Sequence, residues 1–293
     1  MLPMSRLVCL CATFTVAFAL GEARADDLGT VKDKLYQAKK EYDGEARKFR
    51  KAVSDWLEKR EEAARKAGNK KLLDQVKSEK EKYSSSGEIP SDCPKALLTQ
   101  ISTARTKLDK AYTAAVRDLV KLKEDSAAEA IEKEREKFVL DAALQFGART
   151  YLVALKHSDV RVDQNWFSTN GTGSNGEKVK VDGRPVPHSI FLHPPAKGEA
   201  QVKYALDAKW VAFRTTVGVP KIEENTENPA SALTFEVLAD GKSVWKSEPV
   251  SKVGEFQTCT LRVEKVKVLT LLVHCPDQAF WCRAFWFEPV LAP

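Results

Sequence analysis

Five positions in the second half of the chain carry side chains of the kinds that binding sites use: Trp166, His193, Glu223, Trp281 and Arg283. Trp166 opens a loop rich in Asn, Gly, Ser and Thr that runs to Gly176, where a central strand does not account for so large a ring. Trp281 and Arg283 sit together at a transition from turn to strand, and His193 ends an apolar run just before Pro194-Pro195. Glu223, with Glu224, lies in the long polar loop Pro220–Ser231 and offers carboxylate oxygens as acceptors. Rings supply contact area and the polar groups supply direction, so the chemistry of this set is recognition rather than bond-breaking. Each position also has a plainer reading. Trp166 packs over a sheet edge, His193 bonds to its own loop, and the loop acids are ordinary solvated residues.

Catalysis has no signature. The chain contains no G-x-S-x-G, P-loop, H-E-x-x-H or dinucleotide fingerprint. Carboxylates are plentiful, but no local pattern marks the acid pair that glycoside cleavage requires. No C-x-x-C or paired-histidine spacing occurs either, so no metal or cofactor site is expected; no clear cluster of acidic loop residues argues for a structural calcium, a question the sequence leaves open. The expectation is a non-enzymatic protein. Lys and Arg number 47 against 41 Asp and Glu, a net charge of +6 spread over both halves. With no basic patch, nucleic acid is excluded as the expected partner.

The first 25 residues read as a signal peptide. Arg6 begins it, Leu7 to Leu20 form its apolar run, and Ala23-Arg24-Ala25 offers the cleavage site. The expectation is an exported protein (periplasmic, secreted or at the cell surface) with no membrane span after cleavage. Four cysteines then remain, Cys93, Cys259, Cys275 and Cys282, which allow three pairings. If the two alternating runs around Cys259 and Cys275 form a hairpin turning near Val266, those two residues face each other as a candidate disulfide. The alternative is a pair of buried free thiols.

The elements that must position these residues divide into two kinds. Residues 26–148 are helical in pattern. Leu28, Leu35, Tyr42, Phe49 and Trp56 recur every seven residues, with Val31, Ala38 and Ala52 on the companion seam, as in a coiled coil. Gly68-Asn69 marks a cap, Pro94 opens a further helix, and Ser126-Ala127-Ala128-Glu129 has the form of a capping box. The segments 28–83 and 95–146 resemble each other, so the region reads as two helical hairpins that pack together or on a second chain. Residues 149–293 instead carry short alternating runs with turns and no intervening helix, the pattern of an antiparallel β-sandwich. The fold class expected is α + β in separate domains.

The ordered series HSIFLHPP, VKYAL, FRTTVGV, LTFEVLADGKSVWKS, LTLLVHCP and AFWFEPVL, from about Val160 to Leu291, resembles the carbohydrate-binding module associated with glycosyl hydrolase family 98, of NPCBM type. The resemblance implies a galactose-binding-like jelly roll with carbohydrate as partner and no catalysis of its own. Two stretches depart from that pattern: Ile190-Phe191-Leu192 stands where a Gly-Leu-Gly run is common, and Phe280-Trp281-Cys282-Arg283 replaces a polar stretch. Sugars present apolar C–H faces ringed by hydroxyls, so the tryptophans become platforms and the His, Glu and Arg become hydroxyl partners. The helices become a spacer or a homo-oligomerisation element. The alternative is a scaffold whose sandwich contacts protein and no sugar.

Overall fold

The structure is a computed structural model that describes residues 14–147, 149–181, 183–222 and 227–293. The start of the expected signal peptide and the candidates Glu223 and Glu224 therefore lie outside the described residues. Four helices come first: α1 (Phe14–Lys66), α2 (Lys70–Ser86), α3 (Lys95–Lys121) and α4 (Asp125–Phe146). Two compact units follow from the packing. One holds residues up to Lys80 and Asp92–Val139; the other holds Glu81–Ser91 and Leu140–Pro293.

In the helical unit, the seven-residue spacing places Leu35 and Phe49 in the interior with Val53 and Leu57. Leu35 packs with Leu108, Tyr112 and Ala115 of α3, and Tyr42 and Phe138 meet edge to face at 5.0 Å. The turn between α1 and α2 forms where the sequence marks it. Gly68 takes a φ of +60°, and Asn69 Oδ1 accepts a bond from the Leu72 amide at 3.0 Å, capping α2. Ion pairs between helices flank these seams, Arg60 with Glu79 at 2.6 Å and Arg135 with Asp109 at 2.7 Å. The fourth helix begins two residues earlier than the capping-box pattern places it, with Asp125 in its first turn. Among the described residues no helix is long and apolar enough to cross a membrane.

The second unit is a sandwich of two antiparallel sheets. Its strands run in chain order as β1 (Thr150–Tyr151), β2 (His157–Arg161), β3 (Phe167–Ser168), β4 (Lys180–Val181), β5 (Arg184–Pro185) and β6 (Ile190–Leu192). They continue as β7 (Gly198–Ala205), β8 (Ala212–Gly218), β9 (Thr234–Ala239), β10 (Lys242–Lys246), β11 (Phe256–Arg262), β12 (Val268–Cys275) and β13 (Ala284–Ala292). The first sheet has the order β11-β8-β13-β6-β3 with β1 also on β13; the second has the order β10-β9-β12-β7-β2. Strands β4 and β5 make a small separate hairpin.

Alternation explains the core. Val202, Tyr204 and Leu206 from one sheet and Phe213, Val217 and Trp286 from the other are all shielded between the sheets. The first sheet is also covered on its outer face. Phe191, Phe285 and Phe287 stack there, at 5.0 and 5.5 Å between ring centres, beneath Val179 and Ile222. The end of α4 adds Ala143 and Leu144 over Ala212, Val290 and Ala292. Burial on both faces is why Ile190–Leu192 and Ala284–Phe287 read as unbroken apolar runs.

One sequence expectation fails here. Strands β11 and β12 do not form a hairpin. Cys259 on β11 pairs in register with Thr215 of the first sheet, whereas Cys275 ends β12 opposite Gly198 in the second. The segment between them crosses from one sheet to the other, so Cys259 and Cys275 are not bonded and both are free thiols. Alternation alone locates strands without saying which sheet each one joins.

Trp286 is fully buried and meets Phe235 edge to face at 5.5 Å, bridging the sheets. Replacing it with alanine removes that bridge and leaves a cavity, and urea unfolding should show a loss of about 3–5 kcal/mol. A loss below about 1 kcal/mol would contradict the packing described.

Candidate functional site

At one end of the sandwich the first-sheet ladder runs out into a cavity. The β3–β6 pairing is extended by Trp166 and His193: the His193 amide donates to the Trp166 carbonyl at 3.2 Å, and the Asp163 amide donates to the His193 carbonyl at 2.9 Å. Those bonds set the two rings side by side, edge to face with centres 4.7 Å apart. Trp166 is half-buried, resting partly on the outer phenylalanine layer. The turn ahead of it holds Gln164 and Asn165 at φ of +47° and +61°, a left-handed region that residues other than glycine rarely occupy.

The opposite wall is the crossover from β12 to β13. Its backbone is tied down from the side by Ala230, whose amide donates to the Phe280 carbonyl at 2.9 Å, and by the Ser231 hydroxyl, which donates to the Gln278 carbonyl at 2.7 Å. Within it, the Cys282 amide donates to the Ala279 carbonyl and the Arg283 amide to the Trp281 carbonyl. Trp281 is thereby held at a φ of +61°, an outlier for a bulky side chain, with 46 % of its surface exposed. Strain of this kind persists only where the surroundings fix it, and it concentrates at ligand clamps.

The cavity between these walls has a volume of about 370 Å³ and is lined by Asp163, Gln164, Trp166, His193, Trp281 and Arg283, among others. Arg283 is not a free charge. Its Nη1 lies 3.3 Å from Glu177 Oε1, both side chains are largely buried, and its guanidinium sits 5.7 Å from the Trp281 ring centre. Glu177 is itself built in, since its other carboxylate oxygen accepts from the Asn175 amide at 2.8 Å. The pair therefore braces Trp281 from behind. His193 is buried, its Nδ1 has no protein partner, and burial holds the imidazole below its usual range, with Asp163 pulling the other way and Arg283 adding to the depression. The neutral imidazole lines the cavity, while its unmet Nδ1 is itself shielded from water.

The structure thus brings together Trp166, His193, Trp281 and Arg283 from separate stretches. Glu223 lies outside the described residues, and the cysteine pair falls elsewhere. Sequence reasoning missed Glu177, Asp163 and Phe280. Phe280 had a signal, two adjacent aromatics inside a turn; Glu177 had none, because its role depends on an arginine more than a hundred residues away. Among the described residues no group of His, Cys, Asp and Glu is arranged to hold a metal ion.

Residues 150–292 match the family model of the NPCBM/NEW2 domain, and the sandwich is a domain of that family. Among solved structures, the chain is similar to the second CBM51 of Clostridium perfringens ZmpB, determined with its INT domain and in complex with GlcNAc: 17 % identity over 49 % of this chain and 31 % of that one, TM-score 0.43. It is similar to the CBM51 of Clostridium perfringens GH95 in complex with methyl-galactose, at 17 % identity over 49 % of this chain and 99 % of that one, TM-score 0.42. The tandem CBM51 modules of Sp3GH98 from Streptococcus pneumoniae match at 17 % identity over 49 % and 46 %, TM-score 0.41. The chain thus spans about a third of the ZmpB chain and half of it lies outside each match. No curated protein matches.

The His193 environment has a pH consequence. A folded-state pKa below the unfolded value of about 6.5 means the unfolded chain takes up a proton that the folded one refuses. Stability is therefore complete above about pH 6.5 and falls as pH drops below it, down to the folded-state pKa, by at most about 1.4 kcal/mol per unit. Urea unfolding at pH 7.5 and 5.5 should show this slope in the wild type and a shallower one in His193→Gln. Equal slopes would contradict the assignment.

Proposed function

We propose that the sandwich binds carbohydrate without cleaving it, in the cavity between Trp166 and Trp281. The observation that carries this reading is Trp281 itself. It is a large, half-exposed ring held at a left-handed backbone angle and braced by a buried Arg283–Glu177 pair. It gives a flat apolar surface for the C–H face of a sugar ring. Across from it, Asp163, Gln164 and His193 line the same space with polar side chains that can take up hydroxyls, which could not be buried unbonded without a cost of about 1–3 kcal/mol each.

The family match supports carbohydrate as the class of ligand, and the relatives crystallised with GlcNAc and methyl-galactose make those two sugars the first to test. Where the family pattern has a polar stretch, this chain has Phe280 and Trp281, both exposed. A site with more ring and fewer hydrogen-bonding groups prefers a longer or less polar saccharide face. We infer further that the protein is exported, as its first 25 residues indicate, and that the helical hairpins hold the module away from a partner or join copies of it. Joined modules would raise weak single-site binding through effective concentration.

Titration calorimetry of the full chain with methyl-galactose, GlcNAc and extracted polysaccharides tests the reading. Saturable binding should weaken by about tenfold or more in Trp281→Ala, a difference of about 1.4 kcal/mol, with an unchanged thermal midpoint. Folded wild-type protein that binds no saccharide, or binds as well without the Trp281 ring, would contradict it.

A further inference from the structure

Cys275 is the last residue of β12 and Cys282 lies two residues before β13, so the two bracket the crossover that carries Phe280 and Trp281. Both are free thiols in this structure, and both side chains are shielded from water. Both also turn inward onto one atom: Cys275 Sγ lies 3.4 Å from the Gln278 carbonyl oxygen and Cys282 Sγ 3.5 Å from the same oxygen. The two thiols thus share one acceptor, and they lie near enough for the Cys275 and Cys282 side chains to interact with each other by hydrogen bonding. Cys93 and Cys259, buried elsewhere, have no such thiol neighbour among the described residues.

We propose that Cys275 and Cys282 are joined by a disulfide in the mature protein, closing the crossover loop into a covalent ring at the cavity rim. The loop is already bonded to Ala230 and Ser231 along its middle. A bond across its ends fixes what those contacts leave free, and it supplies the over-determination that a left-handed Trp281 needs. The order of events follows from burial. In the closed loop, burial and the neighbouring thiol push Cys282 up to about 12, so little thiolate exists to react. The bond therefore forms while the loop is open.

The oxidant is a small-molecule or protein disulfide, R–S–S–R, such as an oxidising compartment provides. The Cys275 thiolate attacks one of its sulfurs, the S–S bond breaks, and one R–S⁻ leaves and takes up a proton. The Cys282 thiolate then displaces the second R–S⁻ from the mixed disulfide. Two cysteine thiols are oxidised and one external disulfide is reduced to two thiols. The ring constrains the loop whether or not the cavity takes a sugar.

The full chain, refolded once with oxidised glutathione and once with excess dithiothreitol, then alkylated under denaturing conditions and mapped by mass, tests the proposal. The oxidised sample should show one linked peptide pair, Cys275 with Cys282, with Cys9, Cys11, Cys93 and Cys259 alkylated. Its thermal midpoint should exceed that of the reduced sample by about 5–10 °C, and Cys282→Ser should abolish the difference. If that variant does not fold, the wild-type peptide map decides alone. Alkylation of both residues in natively folded oxidised protein, or a linkage through Cys93 or Cys259, would overturn the proposal.

Discussion

Strand β13 is buried on both faces, and most of the sandwich follows from that constraint. Phe285 and Phe287 point into the outer aromatic layer, while Ala284, Trp286 and Leu291 point into the core. A slip of one residue would exchange the two sets and put phenylalanines where the second sheet leaves room for smaller groups, so the register has one solution. The strand changes register between Phe287 and Val290, at Glu288. There the backbone takes a φ of +46°, and the Glu288 carboxylate accepts from the His188 amide at 3.1 Å, which ties the bend to the segment before β6. With β13 fixed in the first sheet and β12 in the second, the chain between them has to cross the end of the sandwich. The cavity lies beneath that crossing.

This geometry explains why the cavity-lining residues come from three unlinked places. The end of the β3–β6 ladder gives Trp166 and His193, the turn before it gives Asp163 and Gln164, and the crossover gives Trp281 and Arg283. Rigid sheet holds the first wall and a strained, many-times-bonded loop holds the second. Among the described residues, those that line the cavity belong to the sandwich unit. The helices of the other unit carry exposed ion pairs along their surfaces, such as Lys51 with Asp55 and Lys66 with Glu62.

Much of the fold was legible in the sequence for a physical reason. Helix periodicity and the Gly68-Asn69 cap are local, and alternation in 200–206 and 211–217 is a direct print of one buried face. The pairing of strands was not legible. Cys259 and Cys275 looked like hairpin neighbours because their runs are adjacent and alternate in phase, and nothing local records that the intervening turn changes sheets. The site was half visible. Trp166 and Trp281 were conspicuous as large rings in polar or turning sequence, whereas Glu177 is defined only by the arginine it meets in space.

The central claim is that Trp166 and Trp281 form the two walls of a saccharide site while the other tryptophans serve packing. Indole N–H resonances of the six tryptophans, followed by NMR during titration of the full chain with methyl-galactose and then GlcNAc, test it directly. The account predicts saturable shifts confined to Trp166 and Trp281, with the buried Trp210 and Trp286 unmoved. Titrations that leave all six resonances in place, or that move only residues away from the crossover, would contradict it.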